Sequence, residues 1–279
     1  MIYQNRQQYS IVAMCRFFEG ARSAYYAWVA RLDQPDRDAE MLTWVKQAYQ
    51  HSRQTYGYRR IQIWLRREKG LDLNHKTVLR LMRKLGIQSV IRKRKAYPQT
   101  KAMSYHHRYP NHLQRDFQAQ RPNQKWATDV TYIPTQAGMV YCAVIQDLFD
   151  GFIVAQHVSR RNSVELVTQP LRQALAKEKV TAELLLHSDQ GHQYCSHAYF
   201  VLAQQYAITP SMSGPGNCLD NAVVENFFGH LKEEAIRRQP LASLEEARQV
   251  IEDYILFYNY ERIQLKTKRT PAEVRGQFL

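Results

Sequence analysis

Three acidic residues stand at positions from which their side chains could meet at one site. Asp129 lies in the middle of a β-rich run, where aspartate is disfavoured, so its presence there needs a reason. Asp189 comes just after a short apolar run at 184–186, which predicts a buried strand that ends at this aspartate. Glu225 follows after 35 intervening residues, in a pattern of apolar residues typical of a helix. A strand, a strand end and a helix can converge, so the sequence predicts a cluster of three carboxylates.

Three carboxylates form a ligand set for hard divalent cations such as Mg²⁺, which prefer oxygen ligands. Two such ions about 3.5 to 4 Å apart can activate a hydroxyl group and stabilise a leaving oxygen in phosphoryl transfer. We therefore expect two Mg²⁺ or Mn²⁺ ions, with Asp129 bridging both, Asp189 binding one and Glu225 the other. Taken singly, each residue would more often be an ordinary surface carboxylate, and it is their joint placement that favours catalysis.

Two further polar residues share the predicted helix with Glu225. Lys232 follows Glu225 by seven residues, which is two turns, and Asn221 precedes it by about one turn, so all three share one face. We predict that Lys232 and Asn221 contact DNA, Lys232 through a phosphate group. A solvated helix lysine is the alternative. Asp220 and Asn221 are also the candidates for the cap that begins this helix.

The segments around these carboxylates resemble a known family. The order Asp, Asp, 35 residues and Glu resembles the catalytic core that retroviral integrases share with many transposases. The surrounding segments are similar to the second-reading-frame product of the IS-three family of bacterial insertion sequences; these segments are 126–132, 187–191, 216–225 and 259–262. The resemblance covers nearly the whole chain. It implies a metal-dependent DNA transposase with a DDE triad, which needs an upstream-frame product as a fusion or as a separate protein.

The apolar pattern from residue 123 onward predicts an α/β domain. Its order of strand, strand, strand, helix, strand, helix, strand, loop and helix matches an RNase H-like integrase core with a mixed five-stranded sheet. Asn162 is predicted to cap a helix that extends to about Lys177 and that Pro170 kinks or splits. The stretch 213–216 predicts a mobile link to the helix of Glu225.

Positive charge is concentrated in the first part of the chain. The net charge is +14, and residues 1–122 hold 24 Lys and Arg against 8 Asp and Glu, so the remainder is close to neutral. A solvated basic face would explain a lone run of charge, but here the charge follows the predicted boundary before the core. Such asymmetry favours a DNA-binding region joined to a near-neutral catalytic domain.

The stretch from Asn74 to Gly86 predicts a helix with two different faces, with Asn74 as its cap and Gly86 as its stop. One face is apolar, and the opposite face is basic. A helix-turn-helix explains both faces, because its second helix can enter the major groove of DNA, whereas a surface helix explains only the apolar one. The basic residues predicted to contact DNA are Lys76, Arg80, Arg83 and Lys84.

Four regions are predicted along the chain. An all-α, helix-turn-helix-like DNA-binding region spans 1–91, a basic linker spans 92–122, and the integrase-like core spans 123–240. A helical extension, beginning with a cap at Ser243, spans 241–279 and is predicted to pack on the core. The linker is predicted to be extended and to lie along DNA, through a basic run made of Arg92, Lys93, Arg94 and Lys95.

Several classes of protein are disfavoured by composition. The four cysteines are spread singly, which favours reduced thiols over a disulfide framework or a zinc site. No apolar run approaches the roughly 20 residues of a membrane span, and the start of the chain lacks the apolar core of a signal peptide. We expect a bacterial cytosolic protein that associates with the nucleoid when bound to DNA and has no membrane partner.

The leading hypothesis is a DNA transposase that acts on the terminal repeats of its element and on target DNA. One alternative is a regulator that binds DNA without catalysis, and another is an RNase H-like nuclease or resolvase that uses the same metal site. The three carboxylates favour an enzyme, and the basic helical region favours transposition. Pairing two DNA ends calls for a homo-oligomer on DNA, yet no heptad pattern is sustained over three or four repeats.

Overall fold

The computed structural model describes residues 1–32, 36–91, 108–178, 180, 183–214 and 218–278. Within these residues, five helices precede the sheet: α1 (Ile11–Phe17), α2 (Arg22–Leu32), α3 (Ala39–His51), α4 (Tyr58–Lys69) and α5 (His75–Lys84). None of the described helices is both long enough and apolar enough to cross a membrane.

Both predicted ends of α5 are confirmed. The Asn74 side chain accepts a hydrogen bond from the backbone amide of Lys76 at 2.9 Å. Gly86 follows the helix with a φ of 65°, a left-handed conformation that glycine adopts at little cost. The apolar face of α5 is buried and its four basic residues are exposed, so the two faces are separated as predicted.

Helices α3 to α5 pack against the C-terminal part of the chain. Their buried side chains belong to one hydrophobic cluster with the helices that follow the sheet. The buried Tyr56 hydroxyl donates to the carbonyl of Glu261 at 3.1 Å and accepts from the amide of Ile263 at 2.8 Å. Arg60 donates to the carbonyl of Ile263 at 3.0 Å. These contacts fix the helical region on the C-terminal extension.

The sheet has five strands in the order β3-β2-β1-β4-β5, which confirms the predicted mixed sheet. The first three strands form an antiparallel meander, and β4 is parallel to both β1 and β5. The strands are β1 (Lys125–Thr135), β2 (Gly138–Asp147), β3 (Ile153–Ser159), β4 (Leu185–Ser188) and β5 (Thr209–Met212).

Helices cover both faces of the sheet. One face packs against α6 (Glu165–Lys177) and α7 (His197–Gln205), and the other packs against α8 (Ala222–Glu234) and α9 (Leu244–Tyr260). A last short helix, α10 (Pro271–Arg275), follows. The predicted order of strands and helices is confirmed, and it is that of an RNase H-like core.

The predicted cap of α6 is wrong, and of the two effects predicted for Pro170 the split is wrong, while the kink stays a prediction. The helix begins after Val164, and Asn162 does not cap it, because the Asn162 side chain instead accepts a hydrogen bond from Gln193. Pro170 does not split the helix, which continues on both sides of it. Proline removes one backbone hydrogen bond, but Pro170 is buried on the face that packs against the sheet, and this packing holds the helix together.

The linker prediction also needs correction for the part of the linker that the structure describes. Residues 108–121 are not an extended arm, because this stretch is held on the sheet edge. The amides of His112 and Leu113 both donate to the Ser211 hydroxyl of β5, and the Leu113 side chain is buried. The basic run 92–95 lies outside the described residues, as do residues 215 and 216 of the predicted mobile link.

The C-terminal extension contacts the core through buried polar groups. Ser243 caps α9 as predicted, its hydroxyl accepting from the amide of Glu246 at 3.2 Å. At the far end, Arg275 is buried and donates to the carboxylates of Asp147 and Asp150 at 3.0 and 2.8 Å. The division of the chain at residues 91, 122 and 240 itself stays a prediction.

Candidate active site

Asp129 lies on β1, and Asp189 directly follows the neighbouring strand β4. Strands β1 and β4 are parallel, and their register pairs Ala127 with His187. Asp129 lies two residues after Ala127 within β1, and Asp189 lies two residues after His187, directly after the end of β4. Side chains alternate between the faces of a sheet, so both carboxylates are directed to the face that carries α8.

Both aspartates are partly buried, and each accepts a local hydrogen bond. Oδ1 of Asp129 accepts from the amide of Val130 at 2.7 Å, and Oδ1 of Asp189 accepts from the amide of Gly191 at 2.9 Å. Burial, and then the nearby Asp189 carboxylate, raise the pKa of Asp129 well above its usual value. Burial also raises the pKa of Asp189. Carboxylates that disfavour each other's charge are stabilised by a cation placed between them.

Gly191 allows the Asp189 carboxylate to approach the backbone closely. A Cβ atom at this position would lie 3.0 Å from Oδ1 of Asp189 and 3.1 Å from Oε1 of Gln193. Any side chain at position 191 would have to displace the carboxylate or the glutamine.

Glu225 lies in the first turn of α8, and its side chain is exposed. The helix packs against β1. Glu225 is close enough for its charge to raise the pKa of Asp129 further, while Lys232, two turns later, lowers it. The structure therefore brings Asp129, Asp189, Glu225 and Lys232 into one region of the molecule.

The donor chemistry of this region fits a hard divalent cation. The two sheet-borne aspartates offer oxygen ligands whose mutual repulsion Mg²⁺ or Mn²⁺ would relieve. Among the residues that the structure describes, no three His, Cys, Asp or Glu side chains are gathered closely enough to hold a metal ion.

Asn221 has a different role from the two that were predicted. It occupies the residue before α8, but its side chain does not cap the helix. Its side chain is buried, and Nδ2 donates to the carbonyl of Thr128 at 3.2 Å. A buried side chain in this position does not fit a direct DNA contact. Asn221 instead ties the beginning of α8 to the strand residue that precedes Asp129.

The buried His187 ring of β4 forms hydrogen bonds with the hydroxyl groups of Ser211 and Ser213, in and just after β5. The Ser211 hydroxyl oxygen accepts two backbone amides, so its own proton is directed to Nδ1 of His187 at 2.9 Å. Nε2 of His187 then carries the ring proton and donates to the Ser213 hydroxyl at 3.1 Å. Burial lowers the pKa of His187 to about 4, so the ring is neutral at pH 7. His187 therefore supports the strand that directly precedes Asp189.

The basic face of α5 is exposed but partly paired. Arg80 makes a two-pronged ion pair with Asp38 at 2.6 and 2.8 Å, and Lys84 contacts Asp36 at 2.7 Å. The side chains of Arg80, Lys84 and Asp36 are exposed, and that of Asp38 is partly exposed. Ion pairs at the surface exchange readily for other anions. The pairing was missed from sequence, because Asp36 and Asp38 lie in the connection before α3, more than 40 residues from their partners.

Family models match three stretches of the chain. Residues 35–95 match an HTH-like domain, residues 119–218 match an integrase core domain, and residues 225–279 match a second model that is also described as an integrase core domain. The first stretch contains α3 to α5, and the second contains both sheet-borne aspartates. The third begins at Glu225.

Similar proteins are found in bacterial insertion sequences. The chain is 39% identical over 273 residues to the transposase InsK of insertion sequence element IS150 from Escherichia coli (strain K12), covering 98% of this chain and 95% of the relative. It is 35% identical over 262 residues to the transposase InsF of insertion sequence IS3A from the same strain, covering 91% and 89%. Among solved structures, the HTLV-2 integrase catalytic core domain in complex with magnesium is 17% identical, with a TM-score of 0.46, covering 56% of this chain and 98% of that one.

Proposed function

Since this chain belongs to the IS-three family of insertion-sequence transposases, we propose that Asp129, Asp189 and Glu225 are the catalytic residues with which it cuts and joins DNA strands. One observation carries the proposal. Asp129 of β1 and Asp189, which directly follows the parallel neighbour β4, lie on the sheet face that packs against α8, and the first turn of this helix carries the glutamate.

The three carboxylates would hold two divalent cations, Mg²⁺ or Mn²⁺. When bound, such ions stabilise negative charge on the attacking and leaving oxygens of a phosphoryl transfer. The chain's own residues would orient the carboxylates and bind the DNA. Backbone pairing of β1 with β4 holds Asp129 beside Asp189, and the amide of Gly191 orients the Asp189 carboxylate. Lys232 lies on the same face of α8 as Glu225 and would bind a DNA phosphate.

An assay of strand cleavage and joining on labelled DNA carrying an element end tests the triad. With Mg²⁺ or Mn²⁺, the variants Asp129→Asn, Asp189→Asn and Glu225→Gln should each lose both activities while still binding DNA. Glu233→Gln is the matched control, because Glu233 lies on α8 too but pairs with Arg237 at the surface. Joining at close to the wild-type rate in any triad variant would show that the residue is not catalytic. It would favour the alternatives of a DNA-binding regulator or a different nuclease site.

We also propose that the exposed face of α5 contacts DNA through Lys76, Arg80, Arg83 and Lys84. Phosphate contacts release counterions, so each one lost should reduce the slope of log affinity against log salt by about 0.9. Lys76→Ala and Arg83→Ala should both show this reduction. Lys46→Ala removes the same charge from the exposed surface of α3 and should leave the slope nearly unchanged. An equal change in all three variants would assign the effect to net charge.

Finally, we propose that an upstream-frame product, as a fusion or as a separate protein, covers α1 and α2, and that the assembly acts as an oligomer on DNA. These helices present large apolar side chains to solvent, including Phe17 and Trp28, at 81% and 45% exposure. Exposed apolar surface of this kind is typical of a protein interface.

The partner proposal predicts a difference between the chain alone and the chain with its upstream segment. The longer protein should discriminate terminal-repeat from scrambled duplexes and join strands, while the 279-residue chain should bind DNA with little sequence preference. Phe17→Ser should weaken the association, and Leu256→Ser, which changes an exposed residue on α9, should not. Equal discrimination by the two proteins would contradict the proposal.

A further inference from the structure

Asp220 is a buried carboxylate outside the proposed triad. It is 3% exposed and belongs to the 3₁₀ turn Cys218–Asn221, which leads directly into α8. Its Oδ1 accepts from Nε of Arg115 at 2.7 Å, and its Oδ2 accepts from the side-chain amide of Asn111 at 3.0 Å and the backbone amide of Gly214 at 3.1 Å. Burial would raise its pKa, but the hydrogen bonds from Arg115 and Gly214 outweigh burial and hold the pKa below its usual value. Asp220 is therefore an ionised acceptor that three donors hold in place.

The contacts of Asp220 lie next to the contact that ties α8 to the sheet. The following residue, Asn221, donates to the carbonyl of Thr128, and Thr128 directly precedes Asp129. Glu225 comes one turn after Asn221 on the same helix. A shift of the backbone at 220–221 would therefore move Glu225 relative to the aspartates on the sheet.

The segment 108–117 supplies two of the three donors and is itself fixed to the sheet. Both His112 and Leu113 donate their amides to the Ser211 hydroxyl, at 2.9 and 3.1 Å, and the Leu113 side chain is 1% exposed. The amide of Met212 adds a hydrogen bond to the carbonyl of Pro110. The segment is therefore held on β5, and the side chains of Arg115 and Asn111 extend from it to Asp220, just before α8.

We propose that Asp220 is a positioning residue for Glu225. Arg115 and Asn111 hold Asp220 in place, and Asp220 in turn fixes the backbone position at which α8 begins. Asp220, Arg115 and Asn111 act only through the position of Glu225, and they contact neither the DNA nor the cations. Their effect should appear in how strongly the site binds divalent cations, because partners that orient metal ligands typically change metal affinity or activity by about 10 to 100-fold.

A pair of amide substitutions tests this contact atom by atom. Asp220→Asn replaces one carboxylate oxygen by an NH₂ group, which cannot accept a hydrogen bond. This group faces either the Arg115 donor or the donors of Asn111 and Gly214, so at least one of the hydrogen bonds is lost. The Mg²⁺ concentration for half-maximal strand joining should rise by about tenfold. In Arg115→Gln, the amide nitrogen is bonded to Cδ, as Nε is in arginine, so a donor is kept and the change should be much smaller.

The double variant Asp220→Asn with Arg115→Gln should recover most of the lost Mg²⁺ affinity, because the glutamine oxygen can accept from the new NH₂ group. Such recovery is a coupling between the two sites that a general loss of folding would not produce. Arg121→Gln is the matched control. It changes an arginine of the same stretch of chain whose ion pair with Glu183 is exposed, and it should leave Mg²⁺ dependence unchanged.

Equilibrium binding of Mn²⁺, measured by electron paramagnetic resonance on protein without DNA, gives a readout independent of activity. Weaker Mn²⁺ binding in Asp220→Asn with recovery in the double variant supports the proposal. Wild-type binding in Asp220→Asn, or no recovery in the double variant, overturns it. Because Glu225 is itself a proposed catalytic residue, Glu225→Gln is measured beside them. If Glu225→Gln stays active, the proposed function is wrong, and if it is inactive while Asp220→Asn behaves as wild type, only the positioning role is wrong.

Discussion

The two sides of the candidate site are held in place by different kinds of contact. On the sheet side, parallel backbone pairing of β1 with β4 puts Asp129 next to Asp189. On the helix side, α8 carries Glu225, and side chains fix both of its ends, Asn221 at the beginning and Glu234 at the end. Backbone pairing depends little on which side chains are present. The position of the helix should therefore be more sensitive to single substitutions than the position of the two aspartates.

The anchor at the end of α8 is a buried ion pair. Glu234 accepts from Arg262 through both carboxylate oxygens, at 2.8 and 2.7 Å, and from the Tyr254 hydroxyl at 2.9 Å. Arg262 and Glu234 side chains are both fully buried. Arg262 belongs to the C-terminal extension, which also contacts Tyr56 through the amide of Ile263. The C-terminal extension thus joins helices α3 to α5 to the helix that carries Glu225.

Removing a sheet-side charge should give the largest functional effect together with a gain in stability. Asp129→Asn should reduce strand joining by at least about 10³-fold, since cation-assisted charge stabilisation contributes several kcal/mol to such a reaction. Without divalent cations, its free energy of unfolding should rise by on the order of 1 kcal/mol, because burial and Asp189 oppose the charge of Asp129.

Urea unfolding at pH 7, with and without Mg²⁺, measures this difference between the two sides. Glu225→Gln should lose activity to a similar extent but change the metal-free stability little, because Glu225 is exposed. Added Mg²⁺ should stabilise the wild-type protein and not Asp129→Asn. A metal-free Asp129→Asn protein that is less stable than wild type would show that the carboxylate is held by favourable contacts.

Breaking the anchor of the helix side should give the next largest effect. Glu234→Gln leaves the Arg262 charge buried without its counter-charge, which should cost about 3 to 5 kcal/mol of unfolding free energy at pH 7. Burial raises the pKa of Glu234, but Arg262 outweighs burial, and the net pKa lies below the ordinary value of 4.5. The folded state therefore binds this proton less tightly than the unfolded chain, so the stabilisation is present above pH 4.5 and is lost as the pH falls further.

Unfolding measured between pH 7 and pH 3 should show the Glu234→Gln variant losing less stability on acidification than the wild-type protein. Glu233→Gln, one residue earlier and paired at the surface, is the control and should change little. If both variants keep wild-type stability, the ion pair does not anchor the helix, and the contrast between the two sides fails.

Much of this arrangement could be predicted because its signals are local. The β-rich run around Asp129 predicts β1, the apolar run before Asp189 predicts β4, and the apolar spacing around Glu225 predicts α8. The cap at Asn74 needs only the two residues that follow it. Each of these features depends on residues close together in sequence, so one sequence is enough to find it.

The contacts that were missed join residues far apart in sequence. Asn221 has the residue type of a helix cap, but its amide is used by Thr128, 93 residues earlier. Asp220 and Arg115 are separated by 105 residues, and Arg115 lies in a stretch whose composition predicts a linker. A split at Pro170 was one of the two predicted effects because proline removes a backbone hydrogen bond locally, whereas the packing that keeps the helix continuous comes from the sheet. Such partners are decided by the fold as a whole.

A side chain placed at Gly191 tests how closely the sheet side is fitted. In Gly191→Ala, the new Cβ would lie 3.0 Å from the Asp189 carboxylate oxygen, so the carboxylate has to move. A displacement of this kind should lower the rate of strand joining by about 10 to 100-fold. Gly229→Ala on α8 is the matched control, because nothing lies within 4 Å of a Cβ there, and alanine in an exposed helix should add up to about 1 kcal/mol of stability. Equal rates in both variants would mean that Asp189 tolerates displacement.

The smallest effect should follow loss of a side-chain contact on the sheet side. The buried Tyr194 hydroxyl bonds to the Thr128 hydroxyl at 3.1 Å, and the Thr128 hydroxyl also donates to the carbonyl of Val144 at 2.8 Å. In Tyr194→Phe, Thr128 keeps its bond to Val144, so the loss should be about 1 kcal/mol of unfolding free energy. The Mg²⁺ dependence of strand joining should stay close to that of the wild-type protein, because backbone pairing still holds Asp129 beside Asp189. Parallel measurement with Asp220→Asn decides the comparison: if Tyr194→Phe weakens Mg²⁺ dependence as much as Asp220→Asn does, side-chain contacts control both sides of the site, and the proposed difference between sheet and helix is wrong.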